Sequence, residues 1–186
     1  MQSLTVEQKA YHLRKMRTRF TRFDVNKDGH ITLDDFRIIA NRVVEYGKLP
    51  KDRADIVHAT YTELAEAYGC KPGTKIALEE GSKKLHEGLI ALPDDQWNPI
   101  FRNSTGKFFD ALDINGDGVI SVNEFVAYFK AVGLSEEESK KSFSIIDKDK
   151  NGEISREEFL AAANDFYRGT EETPLSEALF GPLVDQ

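Results

Sequence analysis

Apolar residues recur at helical spacing in blocks separated by short polar stretches that contain glycine. His12, Met16, Phe20 and Phe23 share one face of a segment that opens on Thr5 and Gln8, a capping-box pair. Phe20 and Phe23 lead into one polar stretch and Phe36 follows it. Phe109 and Leu112 lead into another, followed by Phe125; Phe143 and Ile146 lead into a third, followed by Phe159. These spacings predict a buried face on each flanking helix. Ser121 with Glu124 and Ser155 with Glu158 repeat the capping box. Between Asp52 and Tyr68, the residues Val57, Tyr61, Leu64 and Tyr68 line one helix face. Pro93 and Pro99 break the connector that follows, which holds Trp97 and argues against one long central helix. Thr173-Pro174 opens a short final helix whose Leu175, Leu179, Phe180, Leu183 and Val184 are too apolar for a loose end. The fold class predicted is all-α.

The three polar stretches share a twelve-residue grammar: Asp24 to Asp35, Asp113 to Glu124 and Asp147 to Glu158. Each has oxygen side chains at positions 1, 3, 5 and 9, Gly at 6, Ile at 8 and an acid at 12. This is the pattern of the EF-hand calcium loop. A hard cation takes six to eight oxygens, so alternate residues must point inward around it. Position 6 needs a left-handed bend that Gly tolerates best. The expected ligands are Asp24, Asn26, Asp28, His30, Thr32 and Asp35 in the first loop. They are Asp113, Asn115, Asp117, Val119, Ser121 and Glu124 in the next, then Asp147, Asp149, Asn151, Glu153, Ser155 and Glu158. His30, Val119 and Glu153 offer only a carbonyl. One match would be a moderate signal, but three in the same register leave an accidental Asp/Gly turn very improbable.

EF-hands work in pairs, so a fourth is expected between residues 36 and 113. Gly69 to Glu80 fits, with Ile76 at position 8 and Glu80 at position 12. Positions 1, 3 and 5 are Gly69, Lys71 and Gly73, which supply no carboxylate, so this hand is structural. The expectation is a compact two-lobe protein with hands paired 1–2 and 3–4 and a short β-ladder between paired loops. Residues 1–92 would form one lobe, and residues 93–186 the connector, the second lobe and the final helix. Hands 3 and 4 end in Glu and should prefer calcium. Hand 1 ends in the shorter Asp35 and should be less selective, accepting magnesium.

The chain has 186 residues and a net charge of −7. The three loops carry −3, −3 and −2, so everything else sums to +1. That balance argues against nucleic acid. Gln2 leaves no myristoylation signal, the polar start is no secretory leader and no stretch is long and apolar enough for a membrane span. A monomer without a membrane anchor is expected. Cys70 stands alone, which fits a reducing, cytoplasmic compartment. The four histidines (12, 30, 58, 86) form no nucleophile arrangement, so no enzyme is expected. His58 and His86 read as surface or edge residues, and Arg22 as solvated.

The whole chain resembles the four-hand sarcoplasmic calcium-binding protein family, which includes calexcitins, photoproteins and luciferin (coelenterazine)-binding proteins. Its likeness to the luciferin binders rests on the run Ala10 to Arg19, on Asn164-Asp-Phe, on Glu171-Glu-Thr and on Phe180-Gly. The resemblance implies a helical fold whose lobes enclose an apolar cavity, and a ligand released when calcium arrives. His12 and Arg19 are the candidate polar groups of such a cavity. Buried, each needs a partner, either a ligand atom or, more simply, a carboxylate or carbonyl of the protein. Photoproteins rely on several Trp, and Trp97 is alone here. A Met-lined target groove is also disfavoured by the two methionines. The function expected is calcium binding, as buffer or signal carrier, with calcium-triggered release of a coelenterazine-type ligand as the alternative.

Overall fold

The computed structural model describes residues 4–185, so the expectation drawn from Met1 to Ser3 lies outside the described residues. Helix α1 (Val6–Phe23) starts where its sequence signal lies: Gln8 N donates to Thr5 Oγ1 (3.2 Å) and Thr5 N to Gln8 Oε1 (2.9 Å). Helix α2 (Leu33–Gly47) leaves the first loop, and α3 (Lys51–Ala67) and α4 (Leu78–Ala91) flank the second. Helices α5 (Asp94–Leu112) and α6 (Val122–Ala131) flank the third loop, α7 (Glu136–Ile146) and α8 (Arg156–Arg168) the fourth. A short α9 (Pro174–Ala178) follows, capped by Thr173.

Two antiparallel ladders join the loops in pairs. Strand β1 (His30–Ile31) pairs with β2 (Ile76–Ala77), with Ile31 opposite Ile76. Strand β3 (Val119–Ser121) pairs with β4 (Glu153–Ser155), with Ile120 opposite Ile154. The position-8 isoleucines therefore meet as the loop register predicts.

The apolar residues flanking the three loops are all buried, from Phe20 and Phe23 through Phe143, Ile146 and Phe159. One core runs through the chain, and Phe180 lies in its middle. Its ring packs on Phe166 (4.7 Å between centroids), Phe108 (5.5 Å) and Phe23 (5.9 Å). Burying a ring of this size is worth roughly 1.5–3 kcal/mol, which explains why the tail is ordered beyond α9. Helix α2 packs on both α3 and α6, and α3 on α5, so the two paired-hand units share this core. Among the described residues, no helix is long and apolar enough to cross a membrane.

Two expectations need correction. Pro99 does not break the chain: it lies inside α5, and Pro93 stands just before the first turn. Near a helix start, proline costs only its own bond, here to the Asp95 carbonyl, and the helix continues. A single long central helix is nevertheless absent, since α4 ends at Ala91 and α5 begins at Asp94. Arg22 is not solvated. Its Nε donates to Phe180 O (3.0 Å) and its NH2 to Pro182 O (2.6 Å). The tail has no ladder to satisfy its carbonyls, and a guanidinium supplies the donors. Arg14 does the same for Val184 O (2.8 Å).

Candidate metal centres and interior cavity

Each of the three acidic loops is wound by its own side chains. Asp24 Oδ1 accepts from Asp28 N (3.1 Å) and its Oδ2 from Gly29 N (3.0 Å). Asp113 accepts from Gly116, Asp117 and Gly118 N–H groups, and Asp147 from Asn151 and Gly152. The position-6 glycines take φ of +83°, +91° and +89° at Gly29, Gly118 and Gly152. Position 4 is left-handed as well, at Lys27, Gly116 and Lys150, a strain that the glycine pattern did not reveal.

The position-12 acid bridges the two ends of each loop. Glu124 Oε2 accepts from Ser121 N (2.8 Å) while Oε1 accepts from Asn115 N (3.1 Å). Glu158 does likewise with Ser155 N (2.9 Å) and Lys148 N (2.9 Å). Burial pushes the Glu158 carboxyl up, but the Ser155 hydroxyl and backbone donors outweigh it, and the group is held below the usual carboxylate range. Asp35 reaches Thr32 N at 2.9 Å but Asn26 N only at 3.4 Å, the consequence of one fewer methylene. Asp24, Asp35, Glu124 and Asp147 are all buried. A buried carboxylate calls for donors or a cation to hold its charge. In the fourth loop, ligand atoms of Asp147, Asp149 and Glu158 lie within 4.8 Å of one another. The second loop differs: Glu80 turns to Lys84 (2.5 Å) and Glu79 to Arg17 (2.5 Å). Neither carboxylate is gathered with others.

A cavity of about 430 Å³ lies between α1, α3, α4, α5 and α8. Its walls are mostly aromatic and aliphatic: Phe20, Tyr68, Ile76, Leu85, Leu89, Trp97, Ile100 and Tyr167. Arg19 faces it. The Arg19 guanidinium stacks over Tyr68 at 4.1 Å and its Nε donates to Tyr167 Oη at 3.1 Å. Among the described residues no carboxylate pairs with Arg19, so its charge is held by ring faces and a hydroxyl. A second hollow of about 860 Å³ opens between α7 and the tail, lined by Glu137, Glu138, Glu172 and Glu177. Its acidic lining suits an apolar guest less well than the first.

His12 does not reach the cavity. Its Nε2–H donates to Tyr167 O (2.8 Å), so its Nδ1 is bare and accepts from His86 Nδ1–H (2.9 Å). Burial, aided by the nearby Lys15, His86 and Arg168 charges, pushes His12 down to about 4. His86 is correspondingly no mere edge residue, because it is the donor that completes a buried imidazole. Sequence reasoning missed Tyr167 and Leu89 as cavity walls. Tyr167 adjoins the Asn164-Asp-Phe run, and that was the available signal.

The EF-hand domain pair family matches residues 102–164, and the EF hand family matches residues 16–40. The chain is 36% identical over 183 residues to the luciferin-binding protein of Renilla reniformis, covering 97% of this chain and 99% of that one. It is 28% identical over 178 residues to a sarcoplasmic calcium-binding protein of Perinereis vancaurica tetradentata, covering 92% and 98%. Its structure superposes on the coelenterazine-binding protein of Renilla muelleri in the calcium-loaded apo form with a TM-score of 0.93. That match is 36% identical and covers 97% of this chain and all of the other. The paired loops, the shared core and these likenesses together establish that this is a calcium-binding protein belonging to the EF-hand family of the luciferin-binding and sarcoplasmic calcium-binding proteins.

Proposed function

We propose that the chain is a calcium-regulated carrier of an apolar luciferin of the coelenterazine type. The observation that carries this reading is the 430 Å³ cavity with a buried, carboxylate-free Arg19 on its wall. That volume falls within the roughly 300–1,000 Å³ typical of small-molecule pockets. An apolar guest with one polar or anionic oxygen would bury its rings against Tyr68, Leu85, Leu89 and Trp97 and give its oxygen to Arg19. Arg19 holds its proton permanently, so it offers donors whatever the pH.

Calcium would occupy three loops, with Asp24, Asn26, Asp28, His30, Thr32 and Asp35 as ligands in hand 1. In hand 3 the ligands would be Asp113, Asn115, Asp117, Val119, Ser121 and Glu124. In hand 4 they would be Asp147, Asp149, Asn151, Glu153, Ser155 and Glu158. Hand 1, with its short Asp35, would also admit magnesium. The protein would act as a monomer of two lobes, residues 1–92 and 93–186, in a reducing cytoplasm. Its buried Cys70, pushed up to about 11 by burial, supports a thiol rather than a nucleophile. The proposed reading assigns no catalytic step. The second reading is a calcium buffer or signal carrier with the same loops and an unused cavity, favoured by the sarcoplasmic relatives. Coelenterazine titrated into calcium-free protein separates the two. Saturable binding that calcium reverses supports the carrier, and no binding in either state leaves the buffer.

A further inference from the structure

The wall of the cavity is not uniformly built. More than half of its lining comes from α4 and α5, which meet at one corner, and α1, α8 and the end of α3 supply most of the rest. Leu85 and Leu89 line the cavity just before that corner, and Trp97 and Ile100 just after it. Ile100 is 55% exposed and marks the rim, whereas Trp97 is 6% exposed and stacks on Phe101 (4.7 Å) inside. Pro99 removes one of the bonds that would tie the first turn of α5 to the next, which loosens the turn carrying Trp97.

Two residues one turn apart on α8 hold this corner. Arg168 NH1 donates to Leu89 O (2.7 Å) and Leu92 O (2.8 Å), fixing the end of α4. Asn164 Oδ1 accepts the indole Nε1–H of Trp97 at 3.1 Å, fixing the start of α5. Asn164 is otherwise exposed on a helix, a place where asparagine contributes little to helix stability. A buried indole N–H needs an acceptor, and Asn164 is the one it finds.

We propose that the α4–α5 corner is the gate of the cavity and that Asn164 is its latch, a positioning residue acting through Trp97. The inference rests on the ligand reading above. Opening breaks the indole bond together with the contacts of the Trp97 ring with Tyr167 and the Arg168 guanidinium, and swings the Trp97 turn outward about Pro99, leaving the rest of α5 in place. A latch of this kind stabilises the closed form whether the cavity is filled or not. Its loss therefore accelerates entry and exit together and leaves the affinity unchanged.

The single tryptophan makes the test direct. In ligand-free protein, Asn164→Leu should raise acrylamide quenching of Trp97 emission, and Asn164→Asp, which keeps an acceptor, should not. In stopped-flow mixing with coelenterazine, Asn164→Leu should raise both association and dissociation rates about fivefold, the worth of one neutral hydrogen bond, with Kd within about twofold. Unchanged quenching, or unchanged rates, would overturn the latch. So would a faster dissociation alone with weaker affinity, the signature of a merely structural contact. Raised quenching in Asn164→Leu together with no coelenterazine binding by the wild type would sink the ligand reading while leaving the latch standing.

Discussion

Arg19 sits one helical turn before Phe23, in a slot that Leu64 and Phe108 fill in hands 2 and 3, and its candidacy as a cavity group was legible from the resemblance. Its partners were not. Tyr167 lies 148 residues away, and nothing in local spacing brings it to α1. Removing the charge while keeping the stem, by Arg19→Met, should weaken coelenterazine binding roughly 10- to 100-fold, the worth of a charged hydrogen bond, and leave calcium binding intact. A fluorescence titration measures it. His12 was legible as buried but not as bonded to His86. Because its native pKa is depressed to about 4 while the unfolded value is 6.5, the unfolded chain binds the extra proton between those limits. Stability is then present above about pH 6.5 and falls as the pH drops toward 4, by about 3 kcal/mol at most. His12→Gln keeps a donor for Tyr167 O. It should flatten that stretch of the stability–pH curve in urea unfolding, and an identical slope would contradict the assignment.

At the scale of elements, the loops and the helices around them were readable because each obeys local rules. Ligand spacing, a glycine at position 6 and a capping box at position 9 act within a dozen residues. What the spacing could not show was how the terminal runs fit together. Gln8 donates to Glu171 (2.7 Å), Tyr11 meets Ser176 (2.6 Å) and Lys15 caps the carbonyls of Asp165 and Gly169. Asp165 in turn accepts from Thr173 (2.7 Å). The distinctive residues near the two ends of the chain are thus one interlocked joint between α1, the end of α8 and α9. The proline reading failed for a positional reason, since a break expected at Pro99 is absorbed in the early turns of α5. Two loop predictions follow from the reach of the closing acid. Asp35→Glu should raise the calcium-over-magnesium preference of hand 1, and Glu158→Gln should weaken one calcium site roughly tenfold or more. Isothermal titration with and without magnesium reads both, and unchanged isotherms would count against the ligand assignment.

For the whole molecule, the net charge of −7 belongs to the loops, which carry −8 between them. Three calcium ions would leave the protein near −1, relieving the repulsion among carboxylates gathered within a loop, such as Asp147, Asp149 and Glu158. Each ion held at about 100 times its Kd adds about 2.7 kcal/mol to stability. Calcium should therefore raise the melting temperature markedly, and calorimetry showing no shift at saturation would contradict the site assignment. The shared core around Phe180 ties this to the cavity, because α1, which carries Arg19, also ends at the first loop. Whether metal and ligand compete through that helix is the central question, and one experiment addresses it most directly. Coelenterazine is bound to calcium-free protein, and its absorbance and fluorescence are followed as calcium is added. One-to-one binding followed by release as the loops fill is the expected result. Binding that calcium leaves untouched, or no binding at all, would contradict it.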